Sequence, residues 1–523
     1  MAVTTSIGPG ATNVVTAAAL AYVNRLPLLI IPGDVFANRA PDPVLQQVEN
    51  FGDGTVSAND CFRPVSRYFD RITRPEQIMT ALPRALRVMT DPADCGPATI
   101  AFCQDVQAEA FDCPESFFAE RVWHIRRPEP DAGELAAAIA ALKAAKTPVI
   151  VAGGGVIYSG AEAELAAFAK AHNIPVVETQ AGKSALAHDD AQNFGPVGVT
   201  GSSSANIVCE GADLVIGVGT RFQDFTTGSW SLFKNPKRRI LSVNVQAYDA
   251  CKHGAISLVS DAKIALQAFG KALGSHRFVG ADAKLRADWA AAKAAVKAAP
   301  ATGNRLPTDM QVVGTVNRTA TPATIVMGAA GTMPGELHKI WDAAQGGYHM
   351  EYGFSCMGYE IAGALGIKMA RPDADVICMV GDGSYMMANS ELATAVMMGV
   401  GFTVVLTDNR GYGCINRLQK GTGGAPFNNL LDDSYHVNPS AIDFVAHAGS
   451  MGAKAVKAKD ISALEAELKA AKGAERPVVV VIDTDPMPST EAGGTWWDVA
   501  VPEVSVRAEV RAARAKYEAA RAE

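Results

Sequence analysis

Short apolar runs alternate with alanine-rich helical stretches along almost the whole chain, and that alternation restricts the fold more than any single motif. The middle of the chain reads strand (Pro148–Ala152), glycine loop (Gly153-Gly154-Gly155), helix (Ala161–Ala171), strand (Pro175–Glu178) and, later, strand (Leu214–Gly217). Strands separated by helices cannot close as hairpins. They pair in parallel, with helices on both faces. The expected class is therefore α/β with parallel sheets, and 523 residues leave room for about three such domains. Two breaks interrupt the pattern. The polar, proline-rich Arg126-Arg127-Pro128-Glu129-Pro130-Asp131 leads into a helix over Glu134–Lys146, and Pro300 to Pro307 stops a helix over Asp282–Ala299. These place boundaries near 126 and 303, giving segments 1–125, 126–303 and 304–490 and a tail, 491–523, whose end reads as a surface helix.

Composition narrows the partners. The net charge is −7 with no block of like charge, which argues against a nucleic-acid surface. Nine cysteines are scattered without a CxxC pair, the usage of reduced thiols in a cytoplasmic protein. No apolar run approaches the 18 or so residues of a membrane span, and no signal-peptide pattern opens the chain. The expected partner is a small molecule.

Near residue 1, Val3–Ile7 has the bias of a buried strand, Gly8-Pro9-Gly10 turns tightly, and Thr12 or Asn13 is positioned to cap the helix through Val14, Val15 and Leu20. Gly153–Gly155 and Gly217-Val218-Gly219-Thr220-Arg221 are βα turns that could cradle a dinucleotide phosphate. Neither carries the full GxGxxG fingerprint with a suitably spaced acid, which favours plain turns.

The stretch that carries chemistry is Val376–Val380, Gly381-Asp382-Gly383-Ser384, a helix around Asn389–Met398, and Phe402 to Asn409. This is one βαβ unit. Its right-handed crossover brings Asp382 and Asn409 to the same carboxyl edge of a sheet, where α/β ligands bind. One carboxylate and one amide oxygen are too few for a bare divalent ion. They suit Mg²⁺, which takes about six oxygens and draws several from a phosphorylated ligand. Gly381 and Gly383 allow close backbone approach, and a helix start favours an anion. The unit therefore predicts a Mg²⁺-bridged diphosphate.

GDGS followed by DN resembles the cofactor motif of the thiamine diphosphate enzymes of the acetolactate synthase and pyruvate decarboxylase superfamily. Gly353-Phe354-Ser355-Cys356-Met357 through Gly366 resembles the segment preceding it there, and Ser6-Ile7-Gly8-Pro9-Gly10-Ala11-Thr12-Asn13 resembles the pyrimidine-domain loop. The resemblance spans nearly the whole chain. It implies a partial pyrimidine-binding domain (1–125), a central domain (126–303) and a diphosphate- and Mg²⁺-binding domain (304–490). It implies Asp382, Asn409 and the Gly411 carbonyl as metal ligands. Gly331, Gly381, Gly383, Ser384, Asn409 and Gly411 would contact the cofactor, and Met357 would be the apolar wedge that bends its pyrimidine over the thiazolium. Enzymes of this kind build their sites between subunits, so a homodimer or homotetramer is expected.

Gly411-Tyr412-Gly413-Cys414-Ile415-Asn416-Arg417-Leu418-Gln419, the glycine-rich 421–425 and Gly493-Gly494-Thr495-Trp496-Trp497-Asp498-Val499 look most like the branch that hydrolyses a carbon–carbon bond of a cyclic 1,2-dione in inositol breakdown. An acetolactate synthase-like carboligase, or a fragment that only binds cofactor, are the alternatives. His349 and Trp496 are the substrate-side candidates, tail packing being the other reading of Trp496-Trp497.

One departure stands out. The superfamily places a glutamate upstream of the GPG loop, bonded to the cofactor's N1′. Here only seven residues precede Gly8, none acidic, and the first glutamate, Glu49, lies past the loop. The catalytic base is thus not among these residues, and the expectation is that residue 1 falls inside a domain whose first elements are absent from this chain.

Overall fold

The computed structural model describes residues 1–39, 42–298, 305–439, 441–490 and 492–522. The boundary expected at 303, between the second and third segments, lies outside them. The chain divides into two compact units: 1–128 with 245–247 and 353–356, and the remaining 129–244, 248–352 and 357–523.

The first unit holds one parallel sheet of β1 (Ala2–Thr5), β2 (Leu28–Asp34), β3 (Tyr68–Ile72) and β4 (Pro97–Cys103), in the order β1-β2-β4-β3. The strand expected as buried over Val3–Ile7 is shorter and lies at the sheet's edge, its residues alternately exposed and half-buried. Capping also differs from the expectation. Pro9–Thr12 forms a helical turn of its own, Thr12 Oγ1 donating back to the Pro9 carbonyl at 3.2 Å. The next helix, Val15–Asn24, starts at Val14 with no side-chain cap, so neither Thr12 nor Asn13 caps it. That helix buries Ala18 to Ala21 and ends at Arg25 in the left-handed region (φ 56°). At the carboxyl end of β2, the buried Asp34 accepts from Arg71 Nε at 2.7 Å, an ion pair that satisfies a charge no solvent reaches.

The second unit contains two six-stranded parallel sheets. One runs β10-β9-β8-β5-β6-β7, with β5 (Pro148–Ala152), β6 (Val176–Glu178), β7 (Asn193–Pro196), β8 (Leu214–Val218), β9 (Arg239–Asn244) and β10 (Ile256–Val259). The other runs β12-β11-β13-β14-β16-β15, with β11 (Thr324–Gly328), β12 (Tyr348–Met350), β13 (Asp375–Gly381), β14 (Thr403–Asp408), β15 (Lys454–Ala458) and β16 (Val478–Asp483). Successive residues of β13 point to opposite faces, and because Val376–Val380 are all apolar both faces are buried. Val376, Cys378 and Val380 pack with Ile361, Ala364 and Leu365 of the helix Tyr359–Ala370. Ile377 and Met379 point the other way, into a cluster with Val312 and Leu464.

Gly153 and Gly155 serve as turn residues. A Cβ at Gly153 would stand 2.3 Å from the Gly219 carbonyl oxygen, and the Gly155 amide donates to that same oxygen at 3.0 Å. A helix not expected from the sequence, Gly154–Ser159, follows directly. The two loops that could have received a phosphate thus pack on each other, and amides that would face it bond within the fold. Among the described residues no helix is long and apolar enough to cross a membrane.

Candidate active site

In the third sheet, β13 pairs with β14 so that Gly381 lies opposite Thr407, and both strands end at one edge. The helix Asp382–Met387 begins immediately at Gly381, with no intervening loop. The helix expected around Asn389–Met398 is observed as Glu391–Met398, and a further helix, Asp382–Met387, precedes it, with a break where Ala388 is extended (φ −154°). The break matters for the site, because it puts Gly383 and Ser384 in a first helical turn, whose amides have no intrahelical acceptor. A helix start of this kind, with its free amides and the positive end of the dipole, favours an anion.

Asp382 and Asn409 are both buried, and Asp382 Oδ1 and Asn409 Oδ1 have no hydrogen-bond partner. Two orphaned acceptor oxygens at adjacent strand ends are costly unless something positive bonds them. Burial pushes the Asp382 carboxyl up to about 7, the Asp408 carboxylate adding to it and the amides of Gly383 and Gly411 opposing. A divalent cation would reverse that balance. Gly411 lies two residues beyond Asn409. Its φ of 145° is open only to glycine, and a Cβ there would stand 2.5 Å from the Asn429 carbonyl oxygen. Among the described residues no three His, Cys, Asp or Glu side chains gather as a metal group. The hard oxygen donors of Asp382 and Asn409 fit Mg²⁺.

The remaining residues singled out by sequence fall as follows. Gly331 (φ 85°) lies in the turn after β11, with open space where a Cβ would go. Met357 is half-buried and precedes Gly358, the left-handed (φ 90°) start of the helix Tyr359–Ala370. The Ser384 hydroxyl does not face outward. It donates to Glu360, with 2.8 and 2.7 Å to the two carboxylate oxygens, and accepts from the Gly358 amide at 2.9 Å. Any diphosphate contact from Ser384 would therefore be through its amide.

Glu360 is the residue the sequence reading passed over. It is buried, its carboxyl is pushed up by that burial, and it also accepts from the amides of Gly358 (3.0 Å) and Ala330 (3.4 Å). One carboxylate thus ties the turn beside Gly331, the residue after Met357 and the first turn after Asp382. The signal was present: a lone acid inside the apolar run Gly358-Tyr359-Glu360-Ile361-Ala362-Gly363.

The two substrate-side candidates are already engaged. His349 Nε2 lies 3.1 Å from Tyr359 Oη, and burial lowers the pKa of the ring. The Trp496 ring stacks near Tyr517 of the terminal helix Ala508–Ala522, with centroids 6.2 Å apart. It is Trp497 that reaches inward, its ring 5.3 Å from Phe225, which in turn lies 5.1 Å from Tyr352. Elsewhere, a cavity of about 520 Å³ in the first unit lies at the ends of β1, β2 and β4, lined by Thr5, Gly33, Phe102 and Phe111 among others.

Parallel α/β sheets, the last with Asp382 and Asn409 at one edge beside a helix start, make the fold of a thiamine diphosphate-dependent enzyme. Residues 135–269 match the family model described as the thiamine pyrophosphate (the same cofactor) enzyme central domain, and residues 329–482 match the C-terminal TPP binding domain. The chain is 43% identical to "3D-(3,5/4)-trihydroxycyclohexane-1,2-dione hydrolase 2" of Bacillus cereus, over 98% of this chain and 85% of that protein. It is 42% identical to the hydrolase of the same name, without the numeral, from Geobacillus thermodenitrificans, with coverages of 98% and 85%. The Bacillus subtilis (strain 168) protein is also 42% identical, over 99% and 85%. The chain belongs to the 3D-(3,5/4)-trihydroxycyclohexane-1,2-dione hydrolase family.

Proposed function

We propose that this chain hydrolyses a carbon–carbon bond of 3D-(3,5/4)-trihydroxycyclohexane-1,2-dione, opening the ring to 5-deoxy-D-glucuronate in myo-inositol degradation. The observation that carries the cofactor half of this reading is the pair of buried, unpartnered oxygens on Asp382 and Asn409 beside the helix start. The substrate half rests on the family. Asp382, Asn409 and the Gly411 carbonyl would hold Mg²⁺. The amides of Gly383 and Ser384 would hold the diphosphate, with Gly331 and Gly381 leaving room for it. Met357 would support the bend of the cofactor. When bound, thiamine diphosphate supplies the carbanion chemistry that separates two adjacent carbonyl carbons.

The chain's own contribution is orientation and dryness. Glu360 holds the amides of Ala330 and Gly358 and the Ser384 hydroxyl in one arrangement before any ligand arrives, so little reorganisation remains at binding. Burial of Asp382 and Asn409 strengthens their hold on a cation. No substrate contact is assigned to His349 or Trp496. The reading extends to a cytoplasmic enzyme, with nine free cysteines consistent with a reducing compartment, and to a homodimer or homotetramer.

The test is dione ring opening by protein stripped with chelator and then resupplied with thiamine diphosphate and Mg²⁺ separately and together. Turnover that needs both is expected. Equal turnover without thiamine diphosphate would sink the cofactor reading. Cofactor binding with pyruvate, and not the dione, as the substrate consumed would move the assignment to a carboligase.

A further inference from the structure

Beyond the residues that would touch the cofactor, one side chain joins two of the segments that present them to the chain that leaves β16. The helix Gly413–Gly421 begins two residues after Gly411. It starts in a tight spot, because a Cβ at Gly413 would stand 3.1 Å from Asn409 Nδ2 and 3.2 Å from the Pro486 carbonyl oxygen. One turn further on, Arg417 returns to that same carbonyl. Its Nη1 donates to Pro486 O at 2.5 Å, and its Nη2 donates to Thr332 Oγ1 at 2.8 Å. Thr332 is the neighbour of Gly331. A single guanidinium therefore spans the arm that carries Asn409 and Gly411, the turn that carries Gly331, and the chain that leaves β16.

That departing chain is bound at each step. The Thr484 amide donates to the Asp408 carbonyl at 2.9 Å. Thr490 is held by the buried Glu336, which accepts from both its amide (2.9 Å) and its hydroxyl, and the Thr490 carbonyl accepts from Lys339 Nζ at 2.6 Å. Glu336 and Lys339 lie on the helix Met333–Ile340, which starts one residue after Thr332. Further along, the Gly494 amide donates to the Gly201 carbonyl at 2.7 Å, and Trp497 Nε1 donates to Asp224 Oδ2 at 2.8 Å. Residues 484–490 thus leave the edge that carries Asn409 and run past the start of the Thr332 helix, and residues 492–498 lie on the loops of the second sheet.

We propose that Arg417 is a positioning residue for the Mg²⁺–diphosphate site. It fixes the spacing between the Asn409–Gly411 arm and the Gly331–Thr332 turn, and through Pro486 it makes the chain leaving β16 a mechanical part of that site. The inference rests on the cofactor reading given above. The planar fork is what the geometry requires, since two acceptors on separate segments are met at once. A lysine ammonium at the end of a flexible stem reaches one of them without fixing its angle to the other. Because coupling is reciprocal, cofactor that tightens the two arms must also tighten the segment Arg417 holds.

The experiment uses the full chain as wild type, R417Q, R417K and T332V. Mg²⁺ affinity is titrated calorimetrically at saturating thiamine diphosphate. Chymotryptic cleavage after Trp496 and Trp497 is followed by mass spectrometry, with and without both ligands. In the wild type, ligands slow cleavage. R417Q is expected to weaken Mg²⁺ binding by about 10–100-fold, the range for residues that orient metal ligands. With ligands at saturation it loses most of the protection from cleavage, and R417K does not restore it. T332V, which removes only the acceptor on the Gly331 side, is expected to weaken binding while leaving ligand-free cleavage at the wild-type rate. A purely structural role would lower the ligand-free melting temperature and leave affinity and protection unchanged. R417Q within twofold of wild type in both readouts overturns the proposal. If R417Q fails to fold, T332V with wild-type affinity overturns it. Wild-type protein that binds no thiamine diphosphate overturns the cofactor reading itself, a separable failure.

Discussion

Asp309 gives the sharpest quantitative expectation. It lies at the first position of the helix Asp309–Thr319, is buried, and leaves Oδ1 without a partner. Burial pushes its carboxyl up to about 7. Thr484 and Arg417 oppose that shift, and the acids Glu336 and Asp382 add to it. For an acid with a raised pKa, the folded state keeps a proton that the unfolded chain has lost, so stability falls as pH rises between the two values. The penalty is absent below about pH 4 and complete above about pH 7. About three units, at about 1.4 kcal/mol each, set the full effect near 4 kcal/mol, of which about 2–3 kcal/mol develops between pH 5 and 8. Asp309→Asn removes the titration, so its stability relative to wild type should climb by that amount across the same window, whatever constant offset the amide brings. Hydrogen exchange by mass spectrometry on peptides covering β13 and β14 measures it locally, which suits a chain with more than one cooperative unit. Comparing variant and wild type at each pH cancels the intrinsic exchange rate. A difference that is flat, or that narrows as pH rises, would refute the account of a carboxyl held neutral by burial.

The other expectations concern the site directly. Asp382→Ala and Asn409→Ala should each abolish measurable Mg²⁺ titration at concentrations that saturate the wild type, while circular dichroism keeps its helix and sheet signature. Gly411→Ala places a side chain at φ 145° against the Asn429 carbonyl and should cost about 1–3 kcal/mol in backbone strain before any contact is counted, read as a lower midpoint in urea. Gly381→Ala meets open space at an ordinary extended conformation, so its midpoint should not move. Any loss in that variant should appear only as weaker thiamine diphosphate binding. Glu360→Ala should lower both stability and cofactor affinity, because it strands the Ser384 hydroxyl and the Ala330 amide at about 1–3 kcal/mol for each buried donor left unpaired.

What the sequence disclosed follows the range of the forces involved. β13 and β14 were readable because each is a continuous apolar run, and the crossover rule alone brought Asp382 and Asn409 to one edge. Pro148–Ala152 came out with its observed limits for the same reason. Misreadings fell where a tertiary partner decides the local state. Thr12 has the chemistry of a cap, yet its hydroxyl bonds inside the turn Pro9–Thr12, and the next helix starts without it. The run after Gly381 carries Asp-Gly-Ser, which favours turns, yet it folds as the helix Asp382–Met387, with Ser384 held by Glu360 from another helix. Glu360 itself could not be ranked by pattern. A single acid in an apolar helix gains its meaning only from the Ser384, Gly358 and Ala330 groups that converge on it. Trp496 and Trp497 are equivalent as letters, and only the fold turns one toward Tyr517 and the other toward Phe225.

The same reasoning explains why the cation end should be linked to local order. Asp382 Oδ1, Asn409 Oδ1 and Asp309 Oδ1 are buried acceptors without partners, and two of the three carboxyl or amide groups involved are acids pushed up to about 7. Each such group weakens the ligand-free state, and the amides of Gly383 and Gly411 at Asp382 and Thr484 at Asp309 offset it only in part. A cation on the Asp382–Asn409 pair would remove two of those costs at once and raise the potential at the third, favouring its ionised form. Ligand at a hundred times its dissociation constant adds about 2.7 kcal/mol by mass action alone. That is comparable to the penalty Asp309 develops between pH 5 and 8. The Asp309 slope should therefore be steepest in chelator-treated protein and shallower once Mg²⁺ and thiamine diphosphate are present, since positive charge at Asp382 favours ionised Asp309. A slope unchanged by ligand would mean that the two acids do not sense each other, and the electrostatic unity of this edge would have to be given up.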